Sequence, residues 1–586
     1  MKFLGNVLAT IIGLFVFCIL FFFGLLIIAA LFGGPKGTRV EDNSVLELNL
    51  EKVTHDYGGK FNFEEIGYFE ANHNGLTDIL KAIEAAKTDD KIKGISILNN
   101  DLNLGVAQTK ALRDALEDFK KSGKFIMAYG NVLSQKDYYL NSVANTVYLN
   151  PVGEVDFKGL STEVMYFKDF QDKTGLKMEV IRHGKYKSAV EPFLANEMSP
   201  ENREQISTFL NSIWNSIVTD ISKSRNIPVA QLNSIATGLL ARTPEMAKAN
   251  KLVDKVAYED VYHDDIRKLL KVAADEDYNT VDIMDYAQDV ATSSGDFDTK
   301  DKIAVIYAQG EIGSGEGDLN VVGEGSMRRS LQEARKDENI KAIVLRIDSP
   351  GGSALTSDLI WREIEITKKA KPVIVSMGNL AASGGYYIAC NADKIFAEAS
   401  TITGSIGVFG TLPNFSQVTK NYGINTELVE THENASGYSV FKPLDPNFRA
   451  FTQEGVENIY KIFVNRVATG RKMTFAQVDA IAQGRVWAGS DALRLGLVDK
   501  IGGMDDAMAY ASQLVKIKKF STVEYPKFEK DFKDLFGGSG IPFMKSRENL
   551  IKEEIGEANY KVLEQIRRLN TQKGTQALLP FEINIK

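Results

Sequence analysis

Hydrophobic and polar positions divide the chain into two regimes. No charge occurs between Lys2 and Lys36, and from Val7 to Phe32 the one obvious polar side chain is Thr10. At about 1.5 Å rise per residue this run exceeds the roughly 20 residues needed to cross a hydrocarbon core, and it is longer than the roughly 7 to 15 apolar residues of a secretory leader. It predicts a transmembrane anchor over residues 1–36 rather than a cleaved signal peptide. Lys2 and the amino terminus on one flank balance Lys36 and Arg39 on the other, so charge leaves the orientation open. No second run of this kind follows, and the remainder reads as one water-soluble body tethered to a membrane.

Within that body the pattern repeats. "LKAIEAAKTDDKIKGISI" at 80–97 is echoed by "RSLQEARKDENIKAIVL" at 329–345, with Ala86, Asp89, Ile92, Lys93 and Ile95 matching Ala334, Asp337, Ile340, Lys341 and Ile343. The register persists: Gly130 and Asn131 meet Gly378 and Asn379, Tyr138 and Tyr139 meet Tyr386 and Tyr387, and Gly159 meets Gly407. One constant offset held over so long a stretch is the mark of a duplicated domain. Each copy alternates short β-branched runs with helical patterns. In the second these are "KIAVIYA" from Lys302, a helix near Met327 to Lys336, "AIVLRID" from Ala342, a helix from Thr356 to Lys369, and "PVIVSM" from Pro372. Strands separated by helical segments predict parallel βαβ crossovers, with chemistry at the loops beyond the strands' carboxyl ends. The expected fold class is α/β, with domains at 40–290 and 300–535. The polar stretch 288–301 reads as the linker between them, and "GGSGIP" from Gly537 opens a tail at 536–586. In that tail Ile551, Ile555, Tyr560, Val562, Leu563 and Ile566 fall mostly on one side of an amphipathic helix, which is expected to pack on its own body.

Composition narrows the chemistry. A length of 586 residues suits more than one domain. The formal charge of -8, without a basic block, argues against nucleic acid as a partner. Cys18 and Cys390 are too few for a cysteine zinc site, and the five histidines lack HExxH spacing, so neither a metal nor another cofactor is expected.

The copies differ most at two strand ends. After "PVIVSM" the second copy reads "GNLAASGGYY" where the first reads "GNVLSQKDYY", so Ser383 replaces Gln135. Small residues around a serine on a strand-to-helix turn expose its hydroxyl, as in a nucleophile elbow, although the strict GxSxG pattern is absent. After the preceding strand, "IDSPGGSA" replaces "NNDLNLGV". A Pro-Gly-Gly turn can direct backbone N–H groups together toward an oxyanion, or it can simply begin a helix. A serine needs a base, and no histidine has an obvious triad context. Lysine is the other option once burial has lowered its pKa. "RHGKYKSAVEPF" offers Lys187, among apolar neighbours, with Lys185 as its competitor.

"HGKYKSAVEPF", "DSPGGS", "MGNLAASGGYY" and "TGSIGVFG", in this order, resemble the signal peptide peptidase A (protease IV) family in its long double-domain form. The resemblance runs from the anchor to about residue 515. It implies two tandem ClpP/crotonase-like domains and a Ser-Lys dyad, with Ser383 as nucleophile and Lys187 as general base. It further implies that Ser405 orients the lysine, and that Gly352 and Gly384 donate backbone N–H groups to the oxyanion, Gly351 being the weaker candidate. Phe157 stands opposite Ser405 in the copy that lacks the nucleophile. The implied location is the cytoplasmic membrane, single-pass, with the body on the periplasmic side. The implied partners are signal-peptide remnants and other apolar peptides, and the implied assembly is a homo-oligomer, a ring-like tetramer. Two rival classes remain on the residues alone: an acyl-CoA enzyme of the crotonase type, and a proteolytically idle membrane-tethered scaffold.

Overall fold

The computed structural model describes residues 2–32, 40–63, 68–293, 299–529 and 576–578. A helix, Lys2–Phe32, opens the chain. Among the described residues, no helix is long and apolar enough to cross a membrane. The amphipathic helix expected in the tail lies outside the described residues, apart from the strand Gln576–Leu578.

Two large open sheets form the cores of the halves, beside a further six-stranded sheet and a three-stranded one. In the first half the order is Lys255–Val256, Thr146–Val155, Phe125–Leu133, Ile92–Leu98, Ser44–Glu47, Thr280–Asp282, parallel throughout. The second half repeats it as Lys500–Ile501, Lys394–Ala397, Val373–Ala382, Ile340–Ser349, Lys302–Gln309, Ser521–Tyr525. Ile402–Gly404 and the antiparallel Val486–Ala488 extend it beside the outer end of Val373–Ala382. The central strands carry apolar side chains on both faces because helices cover both; Ile343, Val344, Leu345, Ile374 and Val375 have no exposed surface. The covering helices are amphipathic at helical spacing: Leu76–Thr88 buries Leu76, Ile79, Ala82, Ile83 and Ala86.

The first part of the polar stretch read as a linker is helical. Residues 288–293 continue the helix Ile283–Ser293, in which Tyr286 and Ala287 are buried and the Tyr286 hydroxyl donates to Asp89 at 3.0 Å. Polar composition marked a solvent face there, not a break.

The halves interpenetrate. Lys177–Arg182 leaves the first half and pairs antiparallel with Phe409–Asn414 of the second. Tyr57 stacks on Tyr307 with centroids 4.6 Å apart, and Lys60–Phe63 pairs with Lys527–Glu529. Arg346 and Asp56, both nearly fully buried, form an ion pair across the junction at 2.6 Å. Ala382, next to Ser383, belongs to the first half's hydrophobic core.

Candidate active site

Val373–Ala382 ends against a turn that it could not make with ordinary backbone angles. Ser383 sits at φ 54°, ψ −113°, between the strand and the short helix Gly384–Ala389. Positive φ costs a residue with a Cβ free energy and persists where the surroundings impose it. Here the Ser383 N–H donates to Gly404 O at 2.8 Å, while the Ser383 carbonyl accepts from the Tyr387 N–H at 2.8 Å. Gly385 lets the chain pass close to the preceding loop, since a Cβ there would lie 2.7 Å from Ser349 O. The strict glycine pattern is missing, but the strand–elbow–helix geometry is present.

The lysine arrives from the other half. After Lys177–Arg182 the chain is pinned to the second half: His183 N–H donates to Val408 O and Tyr186 N–H to Gln483 O, both at 3.0 Å. This directs Lys187 inward and leaves Lys185 exposed, with its amine over the Tyr186 ring at 5.1 Å. Lys187 is fully buried. Its Nζ lies 2.9 Å from Ser383 Oγ, 3.0 Å from Ser405 Oγ and 3.3 Å from Ser405 O. Burial alone drives its pKa well below the ordinary lysine value, because a charged amine there loses its hydration. Of the two lysines, Lys187 is the one placed beside the serine.

Glycines clear the lysine's path. A Cβ on Gly407 would meet Lys187 Cδ at 3.2 Å, and one on Gly484, which has φ +82°, would stand 2.6 Å from Lys187 N and Cβ. Gly484→Ala should therefore displace the amine from the serine; we expect kcat/KM to fall by at least about tenfold, as for other ångström-scale misplacements of reacting groups. Peptide hydrolysis by the purified variant, with its thermal unfolding as a control, measures this.

Ser405 is buried at φ 50°, with its N–H donating to Arg485 O at 2.6 Å. On the other side of Ser383 lies the Pro-Gly-Gly turn. Gly351 and Gly352 have φ of 98° and 155°, and a Cβ on Gly352 would fall 2.1 Å from Ile312 O. The Gly351 N–H donates to Ser349 Oγ at 3.2 Å, so it is already engaged, in keeping with its weaker candidacy. Ser353 caps the following helix, Ala354–Lys368, by accepting from Thr356 N–H.

Two features escaped sequence reasoning. Gln576–Leu578 runs antiparallel along Gly351–Ser353, with Leu578 opposite Gly351, Ala577 opposite Gly352 and Gln576 opposite Ser353, and Gln576 pairs with Phe409 on its other side. Gln576 is buried there. The glycine-turn strand thus pairs along its side with an extended segment of the chain's own tail. A cavity of about 1360 Å³ between the halves, lined by Lys110, Asp114, Glu398 and Asp505, includes neither Lys187 nor Ser383. Volume alone would have misplaced the chemistry.

In the first half the equivalent place is filled. Gln135, at the Ser383 position, accepts from Lys158 and Gly159 N–H and donates to Gly159 O. Asp137, at the Gly385 position, accepts from the Leu102 N–H. Phe157, opposite Ser405, packs its ring against Tyr138 and Trp214.

Comparison with known proteins identifies the family. The model of peptidase family S49 matches residues 118–273 and 365–518, once in each half. The chain belongs to peptidase family S49. Protease 4 of Haemophilus influenzae is 36% identical over 542 residues, covering 89% of this chain and 88% of the relative. Protease 4 of Salmonella typhi is 39% identical over 461 residues, 76% of this chain and 73% of its own. The chloroplastic serine protease SPPA of Arabidopsis thaliana is 31% identical over 511 residues, 86% and 74% respectively. An S49 peptidase with two such regions, only one of which carries a serine at the elbow, is what the pairing of Lys187 with Ser383 describes.

Proposed function

We propose that this S49 peptidase is a membrane-bound endopeptidase that degrades cleaved signal peptides and similar apolar peptides through a Ser383–Lys187 dyad. The observation that carries the reading is the 2.9 Å contact between Lys187 Nζ and Ser383 Oγ in a fully buried setting. A neutral amine has two protons and one lone pair. Directing the protons to the two oxygens of Ser405 leaves the lone pair aimed at the serine hydroxyl. Lys187 then accepts the proton as Ser383 attacks the peptide carbonyl, and the resulting ammonium returns it to the leaving amine. Water, deprotonated by the same lysine, resolves the acyl-enzyme. The N–H groups of Gly352 and Gly384 stabilise the oxyanion; donors fixed in advance cost no reorganisation when charge develops.

Membrane attachment is supported by the helix Lys2–Phe32, whose side chains Ile11, Leu14, Phe15, Phe17, Leu20 and Phe21 are more than half exposed, an arrangement suited to lipid. On this reading the anchor lies in the cytoplasmic membrane, the body lies in the periplasm, and several copies assemble, a tetrameric ring being the form the family resemblance implies. The strand Gln576–Leu578 along the glycine turn supports a substrate bound in extended form, read by alternate side chains.

An apolar pocket before the scissile bond follows from such substrates. Burying a leucine contributes roughly 1.5 to 3 kcal/mol, about ten- to a hundredfold, whereas a charged residue would be desolvated without a partner. We expect a fluorogenic peptide with Leu at that position to show a higher kcat/KM than its Asp or Lys counterpart at fixed detergent. Equal values would refute the apolar pocket.

A further inference from the structure

The ladder between Ile340–Ser349 and Val373–Ala382 is interrupted just before the nucleophile. Ile347 pairs with Met377, but Ser349 pairs with Ala381, so Gly378, Asn379 and Leu380 bulge opposite Asp348. Bulges beside active sites re-aim the residues that follow them. Here the bulge is filled by a side chain: Asp348 Oδ1 accepts the Leu380 N–H at 2.8 Å, and Oδ2 accepts from Asn379 Nδ2 at 3.0 Å. Gly378 permits this, since its Cβ would stand 3.1 Å from Asp348 Cβ and Cγ.

The other end of the same carboxamide leaves the second half altogether. Asn379 Oδ1 accepts the N–H groups of Ala107 and Gln108, both at 3.1 Å, and so caps the helix Val106–Lys120 of the first half. Gly105 makes room, because a Cβ there would lie 2.3 Å from Asn379 Cγ. The next residue round the ring of contacts is Gln108, whose Nε2 donates to Asp56, the partner of Arg346, and Arg346 in turn donates to Met377 O beside the bulge. The first copy's equivalent, Asn131, stays within its own half, where its Oδ1 accepts from Asn150 and Tyr129.

We propose that Asn379 is a positioning residue for the peptidase reaction, fixing the bulge that aims Ser383 and locking it to the half of the chain that delivers Lys187. The inference rests on the Ser383–Lys187 reading above. Only a side chain with one acceptor and one donor end serves: the acceptor meets two helix N–H groups and the donor meets a carboxylate. Asp in place of Asn keeps the helix cap but sets two carboxylates against each other in the bulge. Exchanging the pair, Asn379→Asp with Asp348→Asn, restores every hydrogen bond and the net charge. The new amide at position 348 would donate through its nitrogen to the new carboxylate at position 379 and accept the Leu380 N–H through its oxygen. That carboxylate would still cap the helix.

The experiment compares the full-length wild type, Asn379→Asp and the exchanged double variant in kcat, KM and thermal unfolding, using the Leu-containing peptide. We expect kcat of the single variant to fall at least about tenfold with KM within about twofold, and the exchange to return kcat to within about threefold of wild type. A folded single variant with wild-type kcat overturns the inference. So does a folded double variant as slow as the single. If the single variant does not fold, the double decides: wild-type-like turnover supports the inference and slow turnover overturns it. A folded wild type without turnover overturns the dyad reading itself, and the positioning role with it.

Discussion

Replacing Ser383 by Ala should abolish peptide hydrolysis while leaving the protein folded. The hydroxyl is the one group at the elbow placed to attack a carbonyl, and its loss removes covalent catalysis outright. We expect kcat/KM to drop by roughly 10⁴-fold or more, in line with removal of a nucleophile from other serine peptidases. Stability should barely change. Ala accepts the same backbone angles at the same strain, the Ser383 N–H and carbonyl bonds to Gly404 and Tyr387 are unaffected, and Lys187 retains both oxygens of Ser405. Pure Ser383→Ala protein that hydrolyses the peptide at the wild-type rate would remove this serine from the mechanism. Fluorophosphonate labelling gives an independent readout, expected to be lost in the same variant. Loss of labelling would also set the protein apart from an acyl-CoA enzyme or an idle scaffold, neither of which needs an activated serine here.

Lys187→Met should be comparably inactive, whereas Lys185→Ala should retain most of its activity. Methionine preserves the length and packing of the buried stem but offers no lone pair, so the comparison isolates the base from its volume. The exposed Lys185 contacts neither reacting serine through any described bond, and its removal changes one surface charge. If Lys185→Ala alone were dead, the assignment of the base would be wrong. The pH dependence carries the same information. Because burial lowers the Lys187 pKa, the reactive neutral amine becomes populated as pH rises through a value below the ordinary lysine range. kcat/KM should rise with pH on a limb whose midpoint lies well below that of a free lysine. The stability sign follows: folded Lys187 holds its proton less tightly than the unfolded chain does. Its neutralisation therefore opposes folding increasingly as pH falls from the unfolded pKa toward the folded one, and Lys187→Met should flatten that dependence. Unfolding midpoints of the two proteins across this pH window measure it.

Much of this protein is legible in its sequence because the relevant signals are local. Near-continuous apolar runs such as "AIVLRID" and "PVIVSM" specify buried parallel strands, and the constant offset between the halves specifies that the fold occurs twice. The contrast of "GNLAASGGYY" with "GNVLSQKDYY" locates the elbow, since a serine preceded by two alanines and followed by two glycines needs no distant partner to declare its backbone. Ser383 and the glycine turn are readable for that reason, whereas Ser405, and Lys187 as against Lys185, are reached only through family resemblance. What the tertiary structure decided is every relation across the junction of the halves. Lys187 stands beside Ser383 because Lys177–Arg182 pairs as an edge strand with Phe409–Asn414 of the second half, in a sheet separate from that half's large parallel one, and edge-to-edge pairing between remote strands leaves no periodicity in either. The space for the lysine is made by Gly484, in the other half of the chain, whose role shows only as a missing Cβ. Residues 288–293 of the polar run read as linker yet continue a helix, because composition reports solvent exposure, not chain path. Asn379 has its counterpart in Asn131 of the first copy, yet only Asn379 meets a helix from the other half, a contact fixed by how the two cores dock and by nothing in its neighbouring residues.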